Sequence, residues 1–308
     1  MEKYDYALLI VGTGPAGMTA ALYGQRLGLD TVVFGDIPGG NTYMIENLEN
    51  FPGFLSGVPG TQFGLTAFQQ AQQDGAVCPL ARLESLVSDG GSFIATDTNG
   101  TRYTAPSAII ASGRVPIRLA VKNAQLKGAH FCSICDGPLY RGKDAALAVV
   151  GSDNAAAQHA LSLARIASRV LLICRSDGLK MDAVHQKQIQ KLANIDLMTG
   201  TEVTAYQGLD QIESIVVTVA GGPSTEIPVD GLFLAVGWRP NTKMLKISVD
   251  TTSEGYLKTD TTLMTSCPGL FAAGDVRDTD MWQVLTACAD GARAAKHSAD
   301  YIQTRNGA

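Results

Sequence analysis

The sequence predicts an α/β chain with two strand-helix-strand domains, the second inserted in the first. Three observations carry this. Tyr6–Val11 is a continuous apolar run, the pattern of a parallel strand covered on both faces, and it ends in Gly12-Thr-Gly-Pro-Ala-Gly17. The same grammar returns at Ala145–Val150, which ends at Gly151. Two further apolar strands, Ser107–Gly113 and Gly231–Gly237, are each followed closely by proline and mark the crossings between domains.

After the first glycine loop a helix is predicted over Met18–Leu27, and beyond Gly28 and Asp30 the run Thr31–Phe34 reads as a second strand. In that setting a G-x-G-x-x-G loop has a physical meaning. Gly12 permits the tight turn, Gly14 lets a pyrophosphate approach, and Gly17 packs helix on strand; with Pro15 and Ala16 they place helix amides at a diphosphate. Asp36, Gly39, Gly40 and Asn41 follow the second strand, where adenosine or ribose contacts are expected, although Asp is also common in surface turns. The central unit continues with a helix over Asn154–Ala167 and a strand over Val170–Cys174. Gly269–Asp275 is a third apolar strand ending in a tight turn, followed by a helix from Gln283 to about Ile302. Placing it back on the first domain gives residues 1–116 plus 247–308 as one domain and 117–246 as the other. The fold class is therefore α/β with two Rossmann-like dinucleotide-binding domains.

A chain of 308 residues with 45% hydrophobic content can bury a large core. No stretch reaches the roughly 20 uninterrupted apolar residues that span a bilayer, and Met1-Glu-Lys-Tyr-Asp5 is not a signal-peptide opening, so a cytoplasmic protein without a membrane partner is expected. A net charge of −5 argues against a nucleic-acid binder. Of six cysteines, Cys78, Cys174, Cys267 and Cys288 are isolated and read as small buried hydrophobes. Cys132-Ser-Ile-Cys135 differs, because its spacing permits a small disulfide ring whose thiolates are tunable for exchange. A structural zinc site would need a second pair. Asp136, directly after, either serves a thiol as general acid or base or caps a turn.

The second glycine loop reads Gly151-Ser-Asp-Asn-Ala-Ala156, with Asp153 where the middle glycine belongs. A carboxylate about 4 Å from a diphosphate charge costs a few kcal/mol at an effective dielectric of about 20, which is two or more decades of affinity. Alternatively Asp153 points outward and caps the helix.

Together these segments resemble the low-molecular-weight thioredoxin reductase family over nearly the whole chain. The resemblance rests on Val11–Gly17, Glu49-Asn-Phe-Pro-Gly-Phe54, Cys132–Gly137, Ala235-Val-Gly-Trp-Arg-Pro-Asn241 and Ala273-Gly-Asp-Val276 in this order. It implies a homodimer, each chain an FAD domain carrying an inserted NADPH-type domain with the redox Cys pair. It further implies that Asn50 and the stretch Trp282, Gln283 and Val284 lie against the flavin, that Asp275 binds its ribityl or phosphate portion, and that Ala111 and Gly274 complete the cofactor set. Electrons would pass from NADPH through FAD and the Cys pair to thioredoxin, with Cys135 nearer the flavin, Cys132 attacking the partner disulfide and Asp136 as the acid.

The donor end departs from that pattern at Asp153, at Gln158 and His159 where acidic residues are usual, and at Cys174-Arg-Ser176 with Lys180, where an Arg-rich run holds the 2′-phosphate. Trp282 replaces an Arg and offers a ring able to stack on an isoalloxazine. These departures resemble the pyridine-nucleotide-independent branch, whose members take electrons from ferredoxin or hold a second FAD where NADPH would sit. Efficient NADPH use is therefore not expected. The competing readings are an ordinary NADPH-dependent enzyme served by Arg175 and Lys180, and a flavin-bound redox sensor without turnover.

Overall fold

The computed structural model describes residues 5–45 and 47–307, apart from the side chains of Ile134, Cys135 and Asn306. Contacts divide the chain into two units, Met1–Val115 with Arg239–Ala308, and Pro116–Trp238.

In the first unit a four-stranded parallel sheet runs in the order Leu270–Ala272, Ser107–Ile110, Leu8–Val11, Thr31–Phe34. Every residue of these strands is buried, as expected of near-continuous apolar runs in a sheet covered on both faces. Val11 is in register with both Phe34 and Ile110, so the three strands end level and their loops share one rim. One face carries helix Pro15–Arg26 and the last helix, Val284–Gly307, joined through Met18, Ala20, Ala21, Ala294 and Ala295. Small residues allow the close approach: a Cβ at Gly291 would overlap the Ala16 carbonyl.

The other face is covered by an antiparallel sheet, Leu83–Asp89, Ser92–Asp97 and Arg102–Ala105, absent from the sequence reading. Its middle strand alternates half-buried and buried residues, the period-2 signal of a one-sided strand. Met244, Leu245 and Ile247 pack on the same cluster, and Leu86 exchanges backbone hydrogen bonds with Met244 and Lys246. Residues 239–246, assigned from sequence to the inserted domain, therefore lie with the first unit, and the chain crosses at Trp238/Arg239.

The second unit repeats the plan with a five-stranded parallel sheet, Ile195–Met198, Arg169–Ile173, Ala146–Val150, Gly231–Leu234, Ala129–His130. Helix Asn154–Leu163 packs on one face, and an antiparallel sheet of Thr201–Gln207, Ser214–Val219 and Ser224–Pro228 packs on the other through Val203, Tyr206, Ile215 and Val217. The helix ends four residues before the predicted Ala167. Asn194 Nδ2 instead donates to the Ala164 and Ala167 carbonyls at 2.9 and 3.2 Å, satisfying the freed chain end. Among the described residues, no helix is long and apolar enough to cross a membrane.

Candidate functional site

The first glycine loop leaves its strand at Gly12, where φ is +124° and a Cβ would overlap the Ala111 carbonyl oxygen. Only glycine fits that turn. Gly14 follows at the N-cap of helix Pro15–Arg26 with no side-chain cap, so the first-turn amides are left for another acceptor. The Asp36–Asn41 turn folds onto this loop: Thr13 Oγ1 donates to Ile37 O at 2.6 Å, and Gly39 N donates to Thr13 O at 2.9 Å.

These pieces open into a cavity of about 950 Å³, at the upper end of the range for small-molecule sites, roughly 300–1,000 Å³. Of the residues singled out from sequence, Gly12, Gly14, Pro15, Ala16, Asp36, Gly40, Asn41, Asn50, Ala111, Asp275, Trp282, Gln283 and Val284 line it. Gly17, Gly39 and Gly274 do not; they stand behind the wall. Gly17 packs under the Gly12 carbonyl, Gly39 packs against Gly64 and Thr42, and Gly274 against Ala16 and Ala287. Their small size shapes the cavity wall from behind.

Two chain-distant segments meet at the cavity where Asn50 Nδ2 donates to Gln283 Oε1 at 2.8 Å. Beside them Trp282 Nε1 is buried with no hydrogen-bond partner. An orphan indole donor is costly unless something outside the chain accepts from it. Arg114, which sequence reasoning missed, lies over the Trp282 ring at 4.9 Å and reaches Asp275 Oδ2 with Nε at 3.3 Å. Burial raises the Asp275 carboxyl above its usual range, and the Arg114 charge opposes this. Behind Asp275, buried Asp290 accepts from Gly274 N at 3.1 Å and from Arg277 Nε at 2.7 Å, pinning the turn. Neither Arg114 nor Asp290 belongs to a local motif; a lone Asp beside Gly291 in an apolar helix face was the available signal.

The second glycine loop copies the first turn: Gly151 has φ +155°, and its Cβ would overlap the Ala235 carbonyl, as Gly12 does with Ala111. Beyond that the copy is closed on itself. Asp153 is the N-cap of helix Asn154–Leu163, its Oδ1 accepting from Ala156 N at 3.1 Å. Ser152 O accepts from Lys180 N at 2.8 Å, while Asn154 exchanges two hydrogen bonds with Asp182 at 2.8 and 3.0 Å. His159 is largely buried with Nδ1 unpartnered, and burial lowers its pKa against the pull of Asp153. Arg175, Ser176 and Lys180 are exposed.

In the same unit Cys132 is disulfide-bonded, whereas Cys78, Cys174, Cys267 and Cys288 are free. The Cys135 side chain lies outside the described residues. Asp136 N donates to Cys132 O at 3.1 Å, closing the helical turn Ser133–Asp136, and Asp136 Oδ2 lies 3.1 Å from His130 Nδ1. Burial pushes the Cys78 and Cys174 thiols up to about 11, so both stay protonated at neutral pH. Only Cys174 is fully buried; the other three free cysteines are half-buried.

Two dinucleotide-type loops on parallel sheets and a disulfide placed in the second unit define a disulfide oxidoreductase of the two-domain Rossmann class. A family profile described as pyridine nucleotide-disulphide oxidoreductase matches residues 6–291, and the chain belongs to that family. It is 34% identical to a 34.2 kDa protein in the rubredoxin operon of Clostridium pasteurianum, over 98% of each chain. It is 32% identical to thioredoxin reductase of Bacillus subtilis, over 98% of this chain and 96% of that one. The structure of Lactococcus lactis thioredoxin reductase matches with a TM-score of 0.81 at 28% identity, covering 97% of this chain and 100% of that one. The chain is a thioredoxin reductase-type flavin disulfide oxidoreductase, in a family for which FAD is expected.

Proposed function

We propose that this protein is an FAD-dependent dithiol/disulfide oxidoreductase that reduces a protein disulfide such as that of thioredoxin, without efficient use of NADPH. The observation that carries the donor part is the closure of the second glycine loop: Asp153 takes the Ala156 amide that a dinucleotide diphosphate would need, and the bonds from Lys180 N to Ser152 O and between Asn154 and Asp182 tie the loop down. The first cavity, by contrast, fits FAD: its helix amides are uncapped, its glycine turn admits a close approach, and Trp282 Nε1 lacks an acceptor.

In this reading Gly12, Gly14 and the helix start hold the diphosphate, Asp36 the adenosine ribose, Asp275 the ribityl chain, and Asn50, Trp282 and Gln283 the isoalloxazine. When bound, FAD supplies the two-electron centre that exchanges with the Cys pair. Cys132 attacks the partner disulfide as a thiolate, Cys135 resolves the mixed disulfide, and Asp136 hands a proton to the leaving sulfur. The protein acts as a homodimer, and its donor is ferredoxin, or a second FAD whose diphosphate lies away from the closed loop. Exposure of Arg175 and Lys180 favours the second reading, an NADPH-dependent enzyme whose Asp153 is a harmless cap.

Anaerobic titration with NADPH, following flavin absorbance, separates them. The expected result is no bleaching at stoichiometric NADPH with dithionite still effective; rapid bleaching would overturn the NADPH-independent reading. Cys132→Ala should leave dithionite reduction of the flavin intact and stop multiple turnovers of the partner disulfide. Unchanged turnover would remove the Cys pair from the route.

A further inference from the structure

The Cys segment carries a three-residue chain that the resemblance does not supply. His130 ends the edge strand Ala129–His130, two residues before Cys132. Its ring stacks on Phe233 at 4.9 Å and 28°, which fixes the plane of the imidazole. Both ring nitrogens are then engaged: Nδ1 with Asp136 Oδ2 at 3.1 Å, and Nε2 with Tyr140 Oη at 2.8 Å. Asp136 ends the short helical turn Ser133–Asp136 that follows Cys132, and Tyr140 ends the next turn, Gly137–Tyr140, so one ring bridges the start and end of the redox segment.

We infer that His130 is a positioning residue that keeps Asp136 supplied with a proton for the sulfur leaving the partner disulfide. This rests on the reading of Asp136 as the thiol's acid. An ionised carboxylate only accepts, so Nδ1 carries the hydrogen facing Asp136. In the imidazolium form Nε2–H also donates to the Tyr140 oxygen. Attack of the Cys132 thiolate breaks the partner's S–S bond, forms the mixed disulfide and releases an alkyl thiolate. That thiolate takes a proton through Asp136 while Asp136 draws the Nδ1 proton of His130. The ring is left neutral with its Nε2 hydrogen on Tyr140, and solvent recharges the pair at half-exposed Asp136. The two electrons come from the reduced Cys pair, and one proton passes from imidazolium to sulfur.

The surroundings suit this role. His130 is mostly buried, with a side chain 16% exposed against 36% for Asp136, so the carboxylate is the outlet. Burial, then Asp136 and Asp230, raise the Tyr140 pKa, which keeps its hydroxyl protonated. Phe233 adds no charge on the stacked face, and the nearby Arg118 guanidinium lies over Phe131.

The test uses the full chain, reduced by dithionite and mixed with one of two disulfides. Hydroxyethyl disulfide releases an alkyl thiolate that leaves poorly without a proton; a bis(nitrobenzoate) disulfide releases an aromatic thiolate that needs none. His130→Gln should lower the first rate about tenfold relative to the second, and flatten the pH profile of the first. An unchanged ratio with a wild-type profile overturns the inference. Tyr140→Phe keeps the ring on Phe233 and removes only the hydroxyl; it should displace the same profile, and it decides the matter alone if His130→Gln does not fold. Asp136→Asn separates the layers. If it leaves the ratio untouched, the acid reading falls and the inference with it; if it lowers the ratio while the His130 and Tyr140 variants do not, only the role of His130 falls.

Discussion

Asp153 caps its own helix, with Oδ1 3.1 Å from Ala156 N, at the position where the first glycine loop has Gly14 and no cap. The same side chain thus stabilises the second unit and places a carboxylate where a diphosphate would enter. Asp153→Gly sacrifices only a few tenths of a kcal/mol, because glycine is itself a tolerated N-cap. Combined with Ser176→Arg at the exposed turn, it should raise apparent NADPH affinity at least tenfold in anaerobic flavin-reduction titrations. No gain in a folded protein would shift the cause to the ties from Lys180 and Asp182.

The first two glycines of the first loop should respond differently to a methyl group. A Cβ at Gly12 overlaps the Ala111 carbonyl and needs a positive φ, whereas at Gly14 φ is −76° and the nearest atom, Gly39 O, is 3.9 Å away. Gly12→Ala should fail to accumulate as folded protein, since backbone rather than a side chain must move. Gly14→Asp should fold and purify colourless. Retention of yellow flavin by the Gly14 variant would remove that loop from the cofactor site.

What the sequence made legible followed from locality. Unbroken apolar runs at Leu8–Val11 and Ala146–Val150, each ending in glycine, can hardly be anything other than strands entering a tight turn. Arg114 was invisible because its partners, Asp275 and Trp282, come from the far end of the chain. His130 was missed for a similar reason, since a lone histidine gains meaning only when Tyr140 and Asp136 close around it. The sequence left two roles open for Asp153; the structure puts its carboxylate on Ala156 N.

Trp282 separates ring from donor. Trp282→Phe keeps a surface for Arg114 but removes the unpartnered Nε1, and one lost hydrogen bond of about 0.5–1.5 kcal/mol predicts up to a tenfold weaker hold on FAD. Trp282→Ala also removes the cation–π contact and the packing with Tyr256, so a loss of roughly a hundredfold is expected. Titration of apoprotein by flavin fluorescence measures both. Equal affinity for wild type and Trp282→Phe would show that nothing bound in the cavity uses the indole hydrogen.

Asp275 predicts a pH dependence whose sign follows from burial. Its folded pKa is raised above the ordinary value of 3.8, so between the two values the folded state holds more protons than the unfolded chain. Unfolding free energy through this group therefore rises as pH falls from neutrality toward that value, and the group is destabilising when ionised. Asp260, where burial is outweighed by hydrogen bonds from Thr262 and Met264, and Glu254, hydrogen-bonded by Ser253 and Thr252, have lowered pKa values and give the opposite slope. They act equally in wild type and in Asp275→Asn, so subtracting the two curves removes them. For the apoprotein, the stability of Asp275→Asn relative to wild type should increase from acid to neutral pH, read as melting temperatures across that range. The variant also loses its ion pair with Arg114, a constant offset at pH values where both partners are charged, but the slope is set by the proton alone. A difference that falls with pH would mean that Arg114 outweighs burial, and a flat one that Asp275 is an ordinary carboxylate.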